Sequence, residues 1–560
     1  TLFRSNPDLD YQSALVGEVS TRHAEYFPYV FGTPLEYHWL FHAFWGWLTW
    51  GSGLPATYMT LRVWPFFIAI ALPVVLGLAT WSITRNARAS LIAPSLAVIG
   101  TSLTGVIAQV SLVSPTRDMG TLYVAVLLVL VTSLIRDESI NRKFALVAVF
   151  LLGFVSGGTK GPTVLIVAGG VGFCLLVVNR RLPNLKIALL TFVMLLLSFE
   201  LANKIILGQA AEVHVGFFAY ILRTLPPDTN LTFDLVASAL IGFFILIVPM
   251  LLVSFFKRNQ REEISWLVIC GMLITGEVGL VALDYYGRSQ GYFWDAAIPA
   301  LVVGLSWLFA LSTKDLPLGI FVALMSLGTF LKLSTGIEAD KFISQRWPEM
   351  LVVVSVICVM IQIRPRANSD SDMFRSLSWI MLMLLIMAGT SFNLSPRSEL
   401  ISVQPGQNGA VSSGMRSASI WLNQQSKPDD LFITNRHCRS GTMDTHCDDR
   451  MFFVTAWSQR RSLVEGWGYT PMMNSHYKGS ITSHQRQISE AVIFGEFWNQ
   501  EILSLADGFI ESPTSQEMND LKSHGVKWVV IDKTLEASDA LSSFCNITFN
   551  NSTASVCRIK

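Results

Sequence analysis

The chain has 560 residues, of which 51% are hydrophobic and only 14% are charged, and its mean hydropathy is +0.46. Soluble domains carry about 25% charged residues, so this composition excludes a soluble globule and a disordered chain. Because 41 Lys and Arg residues balance 40 Asp and Glu residues, the basic excess of a nucleic-acid binder is absent, and we expect no nucleic-acid partner.

A short amphipathic helix is predicted at the start of the chain. Pro7 is a favourable first residue of a helix, since its missing N–H would have no partner there. One helical face then carries the apolar side chains Tyr11, Ala14, Leu15 and Val19. The helix would hold Asp8 and Asp10 at its N-terminal end, close to the membrane surface. Two carboxylates there can act as a general base or bind a divalent cation, or they can simply cap the helix and face solvent.

A second interfacial segment lies between residues 34 and 50. Its many Trp, Tyr and His residues suit the headgroup region of a bilayer. His38 and His42 have the i, i+4 spacing of one helical face, and Glu36 is close by. This spacing is compatible with metal ligation and with interfacial packing.

About twelve apolar runs long enough to cross a bilayer follow, at roughly 20 residues for each span. The chain begins at Thr1 rather than at Met, and we expect one further span before it. The predicted spans lie near residues 63–83, 91–113, 119–135, 143–157, 163–179, 187–206, 234–256, 264–283, 293–312, 316–334, 348–363 and 376–392.

Basic residues are distributed unequally between the two sets of alternating loops. One set holds 15 Lys and Arg residues and the other holds 6. By the positive-inside rule the first set is cytoplasmic, which leaves residues 1–62 and 393–560 on the outer side. The sequence therefore predicts a multi-pass protein of the inner or plasma membrane with both of these segments extracytoplasmic, and residues 63–392 as its transmembrane domain.

Residues 393–560 are predicted to form an extracytoplasmic α/β domain, entered through a linker rich in Ser, Gly and Pro. Strand-length apolar runs and an amphipathic helical pattern support this prediction. The expected strands lie at 430–434, 451–455, 526–532 and within 546–558, and the expected helix lies at 488–505.

The four cysteines of this tail predict two disulfides. Proximity favours the pairs Cys438–Cys447 and Cys545–Cys557, although four cysteines allow three pairings. The alternative is a zinc site, because His437 and His446 flank the first pair, but the spacing matches no standard zinc module.

The whole architecture resembles the GT-C superfamily of integral-membrane glycosyltransferases, which take sugars from polyprenyl-phosphate carriers. The resemblance is carried by the long first outer loop with its acidic pair, two juxtamembrane helices, many spans and an outer C-terminal domain. It implies an inverting glycosyltransferase with a polyprenyl-phosphate sugar as donor and a glycan, glycolipid or protein as acceptor. Asp10 best matches the first-loop aspartate of the family, with Asp8 as second candidate. A divalent cation at this pair is a further option.

Scarce cations on the predicted outer side are candidates to hold the donor phosphate. Lys160 lies in a tight turn, Arg223 in the longest outer loop between spans, and Arg288 in a short loop with Gln290 and Tyr292. The alternatives are a lysine that snorkels to the headgroups and ordinary surface arginines. Glu36 and His38 complete the predicted substrate-binding residues.

Three rival functions remain open at this level. A transporter or flippase for lipid-linked glycans would also place charges at span ends, as seen at Glu200, Lys204, Glu277, Asp295 and Lys332. A glycan polymerase or ligase would use outer arginines, and a non-catalytic scaffold would bind glycan with its tail. The acidic first loop favours monosaccharide transfer.

Overall fold

The computed structural model describes a helical bundle, two short helices that precede it and a C-terminal domain with a β-sheet. The residues described are 3–4, 7–22, 24–99, 114–136, 138, 141–178, 184–207, 214–216, 250, 260–284, 291–312, 410–439, 447–476 and 496–560.

Six of the described helices are long and apolar enough to cross a membrane, which confirms the predicted polytopic helical fold. The two preceding helices are α1 (Pro7–Thr21) and α2 (Leu40–Ser52). The bundle helices are α3 (Ala56–Thr84), α4 (Ala87–Ile99), α5 (Pro115–Ile135), α6 (Arg142–Thr159), α7 (Pro162–Val178), α8 (Leu185–Ile206), α9 (Gln260–Ala282) and α10 (Gly291–Ser312). The six are α3, α5, α6, α8, α9 and α10.

These eight bundle helices coincide with eight of the predicted spans. The helices extend beyond several predicted bounds: α4 begins at Ala87, four residues before the apolar run at 91–113. The predicted spans at 316–334, 348–363 and 376–392 fall outside the described residues. Of the predicted span at 234–256, only residue 250 is described.

Local sequence signals explain where the bundle helices begin. Pro115 is the first residue of α5, where a missing N–H costs nothing. Asn141 and Asn184 cap α6 and α8, since their side-chain oxygens accept hydrogen bonds from the backbone N–H groups of Phe144 and Ile187. The beginnings of α5, α7 and α10 lie at one end of the bundle, which is where the candidate site is found.

The C-terminal domain, called the outer domain below, contains a four-stranded mixed sheet. Its strands are β5 (Leu431–Thr434), β6 (Val526–Asp532), β7 (Cys545–Asn550) and β8 (Ala554–Ile559), in the order β5-β6-β8-β7. β5 and β6 are parallel and the other pairs antiparallel. The shorter strands β1 (Phe3–Arg4), β2 (His214–Val215), β3 (Leu283–Asp284) and β4 (Ala410–Val411) form two-stranded pairs, β1 with β4 and β2 with β3. The outer-domain helices are α11 (Ser413–Gln425), α12 (Phe453–Ser458), α13 (Pro471–His476), α14 (Gln500–Glu511), α15 (Ser515–Ser523) and α16 (Leu541–Phe544).

Two predictions for the outer domain are wrong in detail. The run at 451–455 is not a strand, since helix α12 begins within it. The reason is tertiary: the carboxylate of Glu465 accepts hydrogen bonds from the backbone N–H groups of Val454 and Thr455, at 2.6 and 2.8 Å, and so caps a helix there. Of the helix expected at 488–505, residues 488–495 lie outside the described residues. In the described part, a helix begins at Gln500, with Asn499 as its cap, and continues to Glu511.

Helix α1 and the outer domain share one hydrophobic core. Tyr11 and Leu15 of α1 are buried in the same cluster as Phe452, Trp467 and Val529 of the outer domain. Helix α1 also forms an ion pair with the domain, because the buried carboxylate of Glu18 contacts Arg461. Arg22, just after α1, pairs with the same carboxylate. The domain is thus seated on α1 at the end of the bundle.

Candidate active site

The buried cation Lys160 lies at the centre of a polar site between the helix bundle and α1. Its side chain occupies the turn between α6 and α7 and is only 6% exposed. The ammonium lies 3.3 Å from the centre of the Tyr292 ring and 3.5 Å from Nε2 of His38. Lys160 therefore points into the protein rather than snorkelling to the headgroups. The turn, the start of α10 and the segment before α2 meet here.

A second cation, Arg117, lies beside it at the start of α5. Its guanidinium is 3.4 Å from Oδ2 of Asp295 and 3.5 Å from Oδ1 of Asp118. Arg117 and Asp295 are both within electrostatic range of Lys160. Three helix N-termini, those of α5, α7 and α10, thus converge on one polar region. Such termini attract anions, and two cations strengthen that preference.

Asp8 faces this region from α1. Its carboxylate interacts electrostatically with Lys160 and with the hydroxyls of Tyr37 and Tyr292. From the opposite side the Tyr469 hydroxyl of the outer domain donates a hydrogen bond to Oδ1 of Asp8, at 2.6 Å. The site, called the junction site below, comprises Asp8, His38, Arg117, Lys160, Tyr292, Asp295 and Tyr469.

Asp10 lies two residues further along α1, where a helix turns its side chains by about 200°. It is 4% exposed and interacts electrostatically with Glu465 of the outer domain. Burial raises the pKa of that glutamate to about 7, and the Asp10 carboxylate adds to the effect. The two aspartates therefore have different neighbours. Asp8 interacts with the cations of the site and accepts a hydrogen bond from Tyr469, whereas Asp10 interacts with Glu465.

The two histidines of the second interfacial segment have different partners. His42 in α2 contacts Gln12, with Nε2 at 2.6 Å from Oε1, and burial lowers its pKa to about 3. Burial and the Lys160 charge hold the pKa of His38 well below its usual range. Both imidazoles are therefore neutral. Glu36 is half-buried two residues before His38.

Lys160 is held close to its own titration point. Burial lowers the pKa of its ammonium to about 7, although the Asp295 carboxylate opposes the effect. A lysine near pH 7 gains from an approaching anion, because a negative charge stabilises its protonated form.

A resident cation fits poorly among the described residues. In those parts of the chain no three His, Cys, Asp or Glu side chains gather in an arrangement that could hold a metal ion. The side chains of Asp8 and Asp10 point in different directions around α1, so the two carboxylates do not form a pair of ligands for a metal ion. The proposed mechanism uses no metal ion.

The structure brings together four of the residues predicted from the sequence, namely Asp8, His38, Lys160 and Tyr292. Three others, Arg223, Arg288 and Gln290, lie outside the described residues. Glu200 and Lys204 form an ion pair at 3.1 Å with each other and are more than half exposed, so they belong to the surface of the bundle.

Two members of the site carried no assigned role in the sequence. Arg117 was available as one of the few outer basic residues, next to Asp118 at the start of a span. Tyr469 gave no signal, because 461 residues separate it from Asp8.

The predicted disulfide pairs are present. The structure joins Cys438 to Cys447 and Cys545 to Cys557. The zinc alternative is thereby excluded for these cysteines. His437 instead donates hydrogen bonds from Nε2 to the Asp507 carboxylate and from Nδ1 to the Glu465 carbonyl, each at 2.9 Å.

Comparisons with known proteins give likeness in fold alone. No family model matches this chain, and no curated protein matches its sequence. The solved structure of ArnT from Cupriavidus metallidurans bound to undecaprenyl phosphate is 11% identical with a TM-score of 0.41, covering 99% of this chain and 93% of that chain. Its apo state is also 11% identical, with a TM-score of 0.39, covering 100% and 93%. The Archaeoglobus fulgidus oligosaccharyltransferase complex with Zn and sulfate is 12% identical with a TM-score of 0.39, covering 95% of this chain and 64% of that chain.

At such identities and TM-scores the likeness assigns neither a family to this chain nor a role to any residue of the junction site.

Proposed function

We propose that this chain is a membrane glycosyltransferase that moves a sugar from a polyprenyl-phosphate donor to an acceptor glycan, glycolipid or protein. The observation that carries the proposal is the pairing of a carboxylate with buried cations. Asp8 lies on one side of the junction site, and Lys160 and Arg117 lie on the other. A group transfer from a lipid phosphate needs a base for the acceptor and positive charge for the leaving phosphate.

Asp8 is the proposed general base. It takes the proton of the acceptor hydroxyl while the acceptor oxygen forms a bond to the anomeric carbon of the sugar. The bond between that carbon and the phosphate oxygen breaks, and the polyprenyl phosphate leaves with the electron pair. Attack opposite the leaving phosphate inverts the anomeric configuration.

Lys160 and Arg117 are the proposed phosphate-binding cations. They would neutralise the charge that develops on the leaving oxygen, helped by the convergent helix N-termini. The ring of Tyr292 lies against the Lys160 ammonium and is proposed to fix the position of this positive charge. His38 and Glu36 are proposed to contact the sugar or the acceptor. Arg223, Arg288 and Gln290 remain proposed donor-binding residues from the sequence.

Asp10 keeps a proposed supporting role in the acceptor site. Asp10 is buried, and its side chain points away from that of Asp8 around the helix axis, which favours Asp8 as the base. The family resemblance alone favours Asp10. The extracytoplasmic orientation of the junction site also remains a proposal, based on the 15-to-6 loop asymmetry.

The lipid-facing surface suits a membrane-embedded donor. Trp47 and Trp50 of α2 are 64% and 73% exposed, and Phe66 of the adjacent α3 is 71% exposed. Exposed aromatic side chains such as these on α2 and α3 are typical of a protein surface within or beside the headgroup layer.

The test is sugar transfer by the full chain in proteoliposomes, using undecaprenyl-phosphate-linked hexoses, pentoses and amino sugars with a mixed cell-envelope glycolipid acceptor. The wild type should release undecaprenyl phosphate and transfer sugar, and the Asp8→Asn/Asp10→Asn variant should not. Asp429→Asn, at an exposed carboxylate of the outer domain, is the matched control and should behave as wild type. An arm with EDTA tests the cation option. Absence of transfer by the wild type would overturn the proposal and favour a transporter or a scaffold, and undiminished transfer by the double variant would remove the role of base from Asp8 and Asp10.

A further inference from the structure

The outer domain reaches the proposed catalytic carboxylate through the side chain of Tyr469. The Tyr469 hydroxyl donates to Oδ1 of Asp8 at 2.6 Å, while its ring packs against Tyr11 and Phe452. Asp8 is therefore contacted from the outer domain on one side and lies within electrostatic range of Lys160 on the other.

The backbone at Tyr469 is strained. Its φ of +65° lies in the left-handed region, which costs a residue with a side chain about 1–2 kcal/mol. The preceding segment is pressed onto residues 449–451: the N–H groups of Trp467 and Gly468 donate to the Asp449 carbonyl, at 3.1 and 3.3 Å. A Cβ at Gly468 would lie 2.9 Å from Oδ1 of Asp449. A strained backbone at a large aromatic residue next to the site indicates that the position of its side chain serves a function.

A chain of charged groups holds the Tyr469 hydroxyl from behind. Arg450 interacts electrostatically with that hydroxyl, and its guanidinium donates two hydrogen bonds of 2.8 Å to the carboxylate of Asp448. Asp448 also pairs with Arg439, at 3.4 Å between side chains and 2.8 Å between the Arg439 N–H and the Asp448 carbonyl. The series runs from Arg439 through Asp448 and Arg450 to Tyr469 and ends at Asp8.

The Cys438–Cys447 disulfide fixes the far end of this series. Cys438 directly precedes Arg439, and Cys447 directly precedes Asp448. The covalent bond therefore ties together the two backbone segments that carry the paired Arg439 and Asp448. The second disulfide, Cys545–Cys557, links strands β7 and β8 elsewhere in the domain.

The direction of each hydrogen bond follows from the charges. Burial and the Asp8 carboxylate raise the pKa of Tyr469 well above its ordinary value, so the hydroxyl keeps its proton. That proton goes to Asp8, and the positive charge of Arg450 lies within electrostatic range of the hydroxyl. A cation near a hydroxyl makes it a stronger hydrogen-bond donor, which strengthens the bond to Asp8.

We propose that Tyr469 is a positioning residue for Asp8, and that Arg450, Asp448 and the Cys438–Cys447 disulfide hold Tyr469 in place. This inference rests on the proposed function, since it takes Asp8 as the base. By fixing Oδ1 of Asp8, Tyr469 sets the plane of the carboxylate that meets the acceptor hydroxyl. The outer domain thus takes part in transfer by orienting a group of α1.

The first test is Tyr469→Phe, which removes one hydroxyl and keeps the ring packing. In the proteoliposome assay kcat should fall about tenfold, the effect of losing one hydrogen bond to a charged group, and KM should change by less than about twofold. A purely structural role would not lower kcat while leaving KM unchanged, so this split is the readout that identifies a positioning role.

The second test compares the two disulfides. Cys438→Ser/Cys447→Ser should lower kcat, and it should have little further effect when Tyr469→Phe is already present, since the groups act in series. Cys545→Ser/Cys557→Ser is the matched control and should leave kcat unchanged. Thermal unfolding of every variant monitors folding separately.

The outcomes separate this inference from the proposed function. Absence of transfer by the wild type would overturn the proposed function, whereas full transfer by Asp8→Asn would overturn only Asp8 as the base and this inference with it. A large loss in Asp8→Asn, combined with wild-type kcat in Tyr469→Phe, would overturn this inference alone. Equal losses from Tyr469→Phe in the wild-type and Asp8→Asn backgrounds would also contradict it, because the two residues would then act independently.

Discussion

Both ends of the helix bundle contain buried or partly buried cations with carboxylate partners, but the surroundings of these cations differ. At one end Arg136 donates to the Ile83 carbonyl at 2.8 Å and pairs with Glu138, and the largely exposed Arg85 lies 4.0 Å from that glutamate. At the other end Arg117 and Lys160 lie among aromatic rings and carboxylates, beneath the outer domain.

The difference lies in what surrounds the cations. Arg136 satisfies the end of a neighbouring helix, which is a structural task. Lys160 has a neutral imidazole and an aromatic ring as its close partners, and the carboxylates of Asp8 and Asp295 also interact with it electrostatically. The comparison teaches that converging helix N-termini and a buried lysine held against neutral rings, rather than the number of arginines, distinguish a binding end from a supporting end.

The largest expected effect concerns the carboxylates of the two ends. Asp8→Asn should lower kcat for sugar transfer by about 10²–10⁴-fold, the usual contribution of a general base. Glu138→Gln changes an ion-paired carboxylate at the opposite end and should leave kcat within about twofold. The measurement is initial rates in proteoliposomes at saturating donor. A comparable loss in both variants would remove the distinction between the ends.

Phosphate binding gives the next largest difference. Lys160→Ala should weaken the binding of undecaprenyl phosphate by about 10–100-fold, since a charge-assisted contact is lost. Arg85→Ala, at the other end, should bind as wild type. Titration of protein in nanodiscs with undecaprenyl phosphate, followed by intrinsic tryptophan fluorescence, measures both. Wild-type affinity in Lys160→Ala would remove this residue from the phosphate site.

The pH dependence of the same binding sharpens the assignment further. Because the pKa of Lys160 is lowered to about 7, the ammonium is charged below that pH and is lost as the pH rises. Affinity should therefore fall about tenfold between pH 7 and pH 9, where the phosphate itself is fully ionised. Lys160→Arg keeps its charge over this range and should abolish the decline. An unchanged slope in Lys160→Arg would assign the pH dependence to another group.

Much of the bundle could be predicted from the sequence, because each span is a local apolar run. The run at 143–157, for example, appears as α6 from Arg142 to Thr159. The disulfides were also predictable, since each joins cysteines near in sequence. The strand expected at 451–455 failed because Glu465, ten residues later, caps a helix there.

The junction site could be predicted only in part. Asp8, Lys160 and Tyr292 were found because each is a rare polar residue beside an apolar run. The role of Tyr469 depends on a contact between distant parts of the chain, and spacing carries no information about such a contact. The orientation of Asp8 away from Asp10 likewise became visible only once the partners on either side of α1 were known.

The most direct test of the central claim is photo-crosslinking of the full chain in nanodiscs with undecaprenyl phosphate that carries a diazirine on the first isoprene unit. Mass spectrometry then identifies the labelled peptides. We expect labelling at the junction site, in peptides that contain Lys160 and His38, and its loss on competition with unlabelled undecaprenyl phosphate. Labelling concentrated on the Arg85 and Arg136 end, or spread evenly over both ends, would contradict the account.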